Sequence, residues 1–153
     1  MNRLRVYIDT SVVGGAFDPE FEVWSRRFLD QVHQGEFVLL VSDLLLEELE
    51  GAPTHVGDEL AGVPLDRIEV LTRDVESRSL RDAYIDAGVV GKATVNDALH
   101  VAIATIARAD LIISWNFRHL VNIQKIRAFN AVNLHSGYGL IDIRSPREVL
   151  SDG

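Results

Sequence analysis

Three carboxylates and one amide stand where predicted strands end or where the following helices begin. Asp9 directly follows the first strand, Glu48 lies on the short helix after the second, Asp97 opens an apolar helix, and Asn116 lies just beyond a later strand. The carboxyl ends of parallel strands meet at one edge of a sheet. Carboxylates gathered there repel one another unless a cation intervenes, and oxygen-only ligands favour Mg²⁺ or Mn²⁺. We therefore predict a metal site formed by Asp9, Glu48 and Asp97.

Each of these residues, taken alone, also has an ordinary structural interpretation. Asp9, followed by Thr and Ser after a strand, is typical of a helix cap. Thr94-x-x-Asp97 before an apolar run is typical of a capping box, and Asn116 is typical of a turn. A lone histidine on an apolar helix is more often a core residue than a ligand, so we interpret His100 as core. Only the arrangement of the whole set favours chemistry.

Three other motifs that could indicate catalysis or ligand binding are incomplete. Gly88-Val-Val-Gly91-Lys92-Ala93 is too short for a P-loop and has Ala after the lysine. Gly137-Tyr-Gly139 lacks the third glycine of a dinucleotide fingerprint, and Asp9-Thr10-Ser11 lacks the second aspartate of a haloacid-type phosphotransferase. Glu47 and Glu50 are interpreted as the solvated face of their helix. Carboxylate chemistry is what remains.

The elements that must position these residues alternate between strand and helix. Predicted strands are Leu4–Ile8, Phe37–Val41, Ile68–Leu71, Leu111–Ser114 and Gly139–Ile143. Predicted helices are Phe21–Gln34, Asp43–Glu50, a segment around Leu80–Ala87, Ala98–Ala109 and Arg118–Phe129. This alternation predicts one α/β domain over residues 1–153, with a mainly parallel sheet covered on both faces.

Composition limits the class of protein. The 153 residues are 47% hydrophobic, which is enough for one domain with one core. There is no cysteine, so thiolate sites are excluded, and the five histidines are too scattered for a zinc site. We expect no signal peptide and no membrane span, since no apolar run approaches the ~18 residues needed, and hence a cytoplasmic protein. The net charge of −8 argues against non-specific nucleic-acid binding and suits a basic protein partner.

Four segments, in order along the chain, together resemble the PIN-domain family, and most closely its VapC-type toxins. They are Tyr7–Val12, Val41–Leu49, Asn96–Ala102 and Ile113–His119. The resemblance covers nearly the whole chain. It implies a Rossmann-like three-layer α/β/α fold, Mg²⁺- or Mn²⁺-dependent endoribonuclease activity, homodimerisation, and inhibition by a small antitoxin protein.

The resemblance also implies roles for individual residues. Asp9, Glu48 and Asp97 match the family's three main acidic ligands. Asn116 matches a position where many members have a fourth acid, with Ser114 as the adjoining hydroxyl. We expect this amide to leave one metal ion, or a weakly held second. Candidates for phosphate contacts are Arg118, Lys125 and Arg127.

Two other functions remain open from the sequence. The first is an inactive PIN-like module that binds RNA or protein without cutting, which the amide at Asn116 favours and the three intact carboxylates disfavour. The second is a metal-dependent phosphohydrolase acting on a small molecule. The second would require a phosphate-cradling loop, and the sequence contains none.

Overall fold

The computed structural model describes residues 3–150, whose strands form one sheet. All pairings are parallel, and the strand order is β3-β2-β1-β4-β5. The strands are β1 (Arg5–Ile8), β2 (Val38–Ser42), β3 (Ile68–Leu71), β4 (Leu111–Ile113) and β5 (Asp142–Arg144). From β1 the chain moves to β2 and β3 on one side and then crosses to β4 and β5 on the other. The direction of winding therefore reverses between β1 and β4, which is where α/β sheets place their ligands.

Helices connect the strands on both faces of the sheet. Within the described residues they are α1 (Thr10–Gly15), α2 (Glu22–His33), α3 (Asp43–Glu50), α4 (Thr54–Gly57), α5 (Val75–Asp86), α6 (Val95–Ile106), α7 (Ile123–His135) and α8 (Pro146–Leu150). None of the described helices is long and apolar enough to cross a membrane. The predicted three-layer α/β/α architecture is confirmed.

The sheet divides the core into two apolar clusters. Successive side chains of a strand point to opposite faces, so Tyr7 packs with α5, α6 and α7, while Val6 and Ile8 pack with α1, α2 and α8. Helix α3 begins directly where β2 ends and contributes Leu44 to one cluster and Leu45 to the other. Its position at the carboxyl edge of the sheet brings the rest of the helix close to the ends of the strands.

The predicted boundaries differ from the structure mainly in the second half of the chain, where α6 begins and ends three residues before its predicted bounds of Ala98–Ala109. The last strand begins three residues later than predicted, and the helix predicted from Arg118 begins at Ile123. The residues before it form turns, and Asn122 caps the helix by accepting a hydrogen bond from the Lys125 backbone. The last strand ends at Arg144, and Pro146 then opens α8, because Pro is well suited to the first helical position.

Candidate metal centre

The sheet brings the carboxyl ends of β1, β2 and β4 together, because these strands are direct neighbours. Asp9 follows β1, and Ser114 follows β4. Helix α3, which carries Glu48, starts at the end of β2. The predicted site residues therefore lie on adjacent elements at the point where the winding reverses.

Asp9 is a buried carboxylate held by two hydroxyls. Its Oδ1 accepts from Ser11 Oγ at 2.5 Å and its Oδ2 from Ser114 Oγ at 2.6 Å. Burial raises the pKa of Asp9 and nearby Asp97 adds to the rise, although His100 and the two hydroxyls oppose it. Asp9 precedes α1 but makes no side-chain capping bond. The capping interpretation of Asp9 is wrong, because its oxygens turn toward the serines rather than the helix amides.

Glu48 is fixed through one of its oxygens. Its Oε1 accepts from Thr10 Oγ1 at 2.8 Å and from His100 Nε2 at 2.7 Å. Burial acts to raise the pKa of Glu48, but the hydrogen bonds and charge of its partners outweigh burial and lower it. Among the described residues, both hydrogen bonds to this carboxylate fall on Oε1. The other oxygen, Oε2, is thereby left for a ligand.

A buried series of hydrogen-bonded side chains holds Glu48 in position. Ser42 Oγ accepts from the Leu45 backbone at 3.1 Å and lies 2.8 Å from the Tyr7 hydroxyl, which in turn bonds to His100 Nδ1. Burial raises the pKa of Tyr7, so its hydroxyl remains protonated. Because a carboxylate only accepts, Nε2 of His100 carries the proton shared with Glu48. His100 is a core residue as predicted, and it also positions a site carboxylate.

Asp97 is half-buried at the start of α6, and its pKa is raised. Burial is the main cause and Glu48 adds to it, whereas His119, His100 and a hydrogen bond with Asn116 act in the opposite direction. Thr94 makes no side-chain capping bond, and its hydroxyl instead donates to the Gly91 carbonyl. The capping-box interpretation is therefore wrong. The residues before α6 form a short 3₁₀ turn, and Thr94 lacks the extended backbone of a typical cap.

The amide of Asn116 has a defined orientation. Its Oδ1 accepts from the His119 backbone at 2.9 Å, which identifies the oxygen and leaves the amide nitrogen to donate to Asp97. Asn116 thus closes its own turn with one end and holds Asp97 with the other. In this arrangement it presents a donor to the site where an acid would present a charge.

The carboxylate oxygens of the candidate site are the type of ligand that a hard divalent cation prefers. Asp97 is near enough to Asp9 to raise the pKa of Asp9, and Glu48 is near enough to Asp97 to raise the pKa of Asp97. Each oxygen of Asp9 also keeps a lone pair beyond its serine bond. Among residues 3–150, however, no three His, Asp or Glu side chains are gathered closely enough to hold an ion as they stand. The carboxylates are neighbours at one edge rather than a finished coordination shell.

Comparison with known proteins agrees with this topology. No protein-family model matches the sequence, and no curated protein sequence matches it. A chain in the crystal structure of VapBC2 from Rickettsia felis, bound to a DNA fragment from their promoter, is structurally similar with a TM-score of 0.55. The match covers 92% of this chain and 98% of that one, at 14% sequence identity. The chain has a PIN-like fold. The predicted resemblance is confirmed at the level of the fold, which is as far as such low identity reaches.

The basic residues predicted to contact phosphate differ in their surroundings within the PIN-like fold. Lys125 Nζ donates to the Val89 carbonyl, so this ammonium is already bound. Arg118 and Arg127 are exposed. His119, which the sequence analysis did not select, is half-buried and close enough to Asp97 to lower its pKa. Of the three predicted residues, Arg118 is the exposed one that follows the Asn116 turn, two residues after Asn116.

Sequence reasoning also missed two of the hydroxyls that hold the carboxylates of the candidate site. Thr10 binds Glu48, and Ser11 binds Asp9 while accepting from the Trp115 backbone at 2.9 Å. Both directly follow Asp9, which is a signal that was interpreted as capping. Their actual partners lie about 40 and 100 residues further along the chain and become visible only in the folded structure.

Proposed function

We propose that this chain is a cytoplasmic, Mg²⁺- or Mn²⁺-dependent endoribonuclease and the toxin of a toxin–antitoxin pair. The observation that carries the proposal is the placement of Asp9, Glu48 and Asp97 together at the switch point of a PIN-like sheet. Three carboxylates at one edge carry a free-energy cost that a bound cation would offset.

The residues around the carboxylates support this assignment. When bound, the metal would supply a more nucleophilic water and offset charge that builds on the phosphorus. Ser11 and Ser114 orient Asp9, while Thr10 and His100 orient Glu48. Such outer partners commonly hold ligand side chains in a productive orientation. We assign Asp97, half-buried at the start of α6, to orient the attacking water.

The proposed reaction is hydrolysis of a phosphodiester. The oxygen of water bonds to phosphorus, the bond from phosphorus to O3′ breaks, and a proton goes to O3′. The products are a 3′-hydroxyl and a 5′-phosphate. Arg118, exposed beyond the Asn116 turn, is placed to contact a neighbouring phosphate.

An RNA cleavage assay tests the enzyme assignment. Asp9→Asn, Glu48→Gln and Asp97→Asn should each lose at least about a hundredfold in turnover with Mg²⁺ or Mn²⁺, because each removes a ligand or the group that orients the water. Glu50→Gln is the matched control, since Glu50 is exposed on the same helix as Glu48. Folded variants that cleave at the wild-type rate in metal would show that the site is misassigned.

A second candidate is a PIN-like module that binds RNA without cutting it. The amide at Asn116, which donates to Asp97 rather than adding a charge, is the observation that favours it. The same assay separates the two functions. Wild-type protein that binds RNA but never cleaves it, with either metal, would favour the binding module.

The antitoxin assignment rests on the fold together with the acidic charge. The structurally similar protein is a VapBC2 complex, and the net charge of −8 here suits a basic partner. We expect a small basic protein encoded next to this chain to co-purify with it on co-expression and to abolish RNA cleavage. Co-expression without co-purification or inhibition would remove the toxin assignment while leaving the nuclease assignment untouched.

A further inference from the structure

Three aromatic rings lie side by side near the carboxyl end of β4, two of them on the segment that directly follows Ser114. The Phe21 and Trp115 rings are stacked, with centroids 4.4 Å apart and planes 20° apart. The Phe117 ring lies 6.1 Å from the Trp115 ring and 6.5 Å from the Phe21 ring. We call Phe21, Trp115 and Phe117 the aromatic platform.

The platform is rigid at its base. Trp115 Nε1 donates to Ser25 Oγ at 2.7 Å, and the Trp115 backbone donates to Ser11 Oγ. A Cβ atom on Gly15 would lie 2.7 Å from Trp115 Nε1, so only glycine leaves room for the indole there. Contacts from α1 and α2 thus fix the ring, and Trp115 is only 7% exposed.

Phe117 combines a fixed backbone with an open ring. Its amide donates to the Trp115 carbonyl at 2.9 Å, and its carbonyl accepts from Asn122 Nδ2 at 3.1 Å. Its side chain is nevertheless 49% exposed. A single exposed apolar residue is common and needs no explanation. The exposure of Phe117 does need an explanation, because its backbone is fixed, two other rings support its ring, and it lies beside a candidate active site.

The platform is continuous with the carboxylates along the chain and through hydrogen bonds. Trp115 lies between Ser114, which binds Asp9, and Asn116, which binds Asp97. Since consecutive Cα atoms are about 3.8 Å apart, the Cα atom of Phe117 lies one such step from that of Asn116 and at most three steps from that of Ser114. A substrate bound at the carboxylates would therefore pass the exposed ring.

The charge of the protein makes such a surface useful. A net charge of −8 cannot supply the general attraction to phosphates that most nucleic-acid-binding proteins use. Stacking of a base on an aromatic ring does not depend on charge, and every base offers a π-face. Bases inside a duplex are already stacked, so only an unpaired base is available to an outside ring.

We propose that Phe117, supported by Trp115 and Phe21, is a stacking subsite for an unpaired nucleobase next to the phosphate that is cleaved. The inference deepens the proposed ribonuclease function and rests on it for the identity of the ligand. It implies that the substrate is single-stranded at the cleavage point, and that part of the binding free energy comes from stacking rather than from charge.

A binding experiment without metal tests the subsite independently of cleavage. The probe is a short single-stranded RNA labelled with fluorescein, with anisotropy measured in chelator. Phe117→Leu keeps an apolar side chain but removes the ring, and should weaken binding about tenfold, in line with measured stacking contributions. Phe117→Tyr should bind like the wild type.

Phe17→Leu is the matched control. Phe17 is another partly exposed phenylalanine, at 37%, and packs on the His55 ring instead of on the platform. Its variant should bind RNA with unchanged affinity. The tenfold loss in Phe117→Leu should be the same at about 50 mM and about 200 mM salt, because a phosphate contact would lose strength with salt and stacking would not.

Several outcomes would overturn the subsite. These are wild-type affinity in folded Phe117→Leu, no measurable RNA binding by the wild type, or a loss in Phe117→Leu that appears in self-association or antitoxin binding instead of RNA binding. The last would make the platform a protein interface. Failure of the nuclease proposal is distinguishable, since RNA that binds through Phe117 but is never cut in metal leaves the subsite standing. In an active enzyme, Phe117→Leu should raise KM with little change in kcat.

Discussion

Asp9 shows how a single residue can be built for binding at the expense of stability. It is a buried carboxylate whose two oxygens face serine hydroxyls, with Asp97 nearby. Without a cation, ionised Asp9 costs free energy in the folded state, which is why its pKa is raised. From the sequence alone, Asp9 could be either a helix cap or a metal ligand. Its contacts in the folded chain support the metal ligand.

Asp9→Asn should therefore stabilise the metal-free protein. An acid whose pKa is raised on folding carries a penalty at neutral pH, and that penalty disappears as the pH falls through its folded-state pKa. In thermal melts with chelator, the variant should have a higher Tm at pH 7, by about 2–4 °C per kcal/mol gained. The difference from the wild type should shrink toward acidic pH.

Asp110→Asn is the control, because Asp110 is exposed at the other end of β4 and accepts from the Arg5 backbone. It should give no gain in Tm. A lower Tm in Asp9→Asn, together with unchanged RNA cleavage, would return Asp9 to a purely structural role.

Asn116 is the second residue at which the structure changes the interpretation. Asn116→Asp exchanges a donor to Asp97 for a like charge, so the metal-free variant should have a lower Tm. With Mn²⁺ the added charge should tighten binding by up to about thirtyfold, or ~2 kcal/mol for one negative charge about 4 Å from a divalent ion in a hydrated site. Calorimetric titration measures the affinity and stoichiometry.

Asn122→Asp serves as the control for this change. Asn122 lies six residues further on and caps α7, where Asp can also cap. Its variant adds the same charge without bonding to Asp97, but it loses the Nδ2 bonds to the Phe117 and Arg118 carbonyls. It is therefore the reference for the metal titration and not for Tm. If Asn116→Asp and Asn122→Asp titrate alike, Asn116 acts only on its own turn.

At the scale of elements, two serines that cap helices differ in whether they are also linked to the candidate site. Ser42 caps α3 through the Leu45 amide and also bonds to Tyr7, which leads through His100 to Glu48. Ser145 caps α8, where its Oγ accepts from the Glu148 amide and Glu148 Oε1 accepts in return. The two caps are similar locally, and only one is connected to the carboxylates.

Ser42→Ala and Ser145→Ala should each cost about 1 kcal/mol of stability, or about 2–4 °C in Tm. Only Ser42→Ala should also weaken Mn²⁺ binding, because it alone loosens the chain that holds Glu48. Thermal melts and Mn²⁺ titration on both variants check this. Equal Mn²⁺ affinities would mean that the buried chain does not position Glu48.

The sequence predicted an element well where the period of its apolar residues and its length indicated the same type of secondary structure. Helix α3 and strand β3 have the predicted bounds. The start of α7 was missed, since two asparagine side chains bonding to backbone amides set it. Residue types indicated a cap at Asp9-Thr10-Ser11, but not that Thr10 binds the distant carboxylate of Glu48 or that Ser11 links Asp9 to the Trp115 backbone.

At the scale of the molecule, strand order decides which residues meet. Placing Asp9, Glu48 and Asp97 at one edge required only that the sheet be parallel, and this much the sequence predicted. The neighbours of each carboxylate, including His100 and Asn116, depend on packing between segments far apart in the chain. The platform of Phe21, Trp115 and Phe117 was missed for the same reason.

We predict that the whole molecule is a homodimer. The motivation is the family resemblance, and self-association would cover some of the apolar side chains exposed on this monomer, such as Leu65 at 90% and Val75 at 82%. Light scattering at micromolar concentration should give twice the mass of the 17.0 kDa chain. A monomer across that range would remove dimerisation from the account.

The central claim is that three carboxylates act as one metal site, and calorimetric titration with Mn²⁺ tests it most directly. The wild type should show one dominant binding event. Asp9→Asn, Glu48→Gln and Asp97→Asn should each remove that same event or weaken it by at least about tenfold, while Glu50→Gln leaves it intact. Retention of wild-type Mn²⁺ affinity by any one of the three folded variants would contradict the claim.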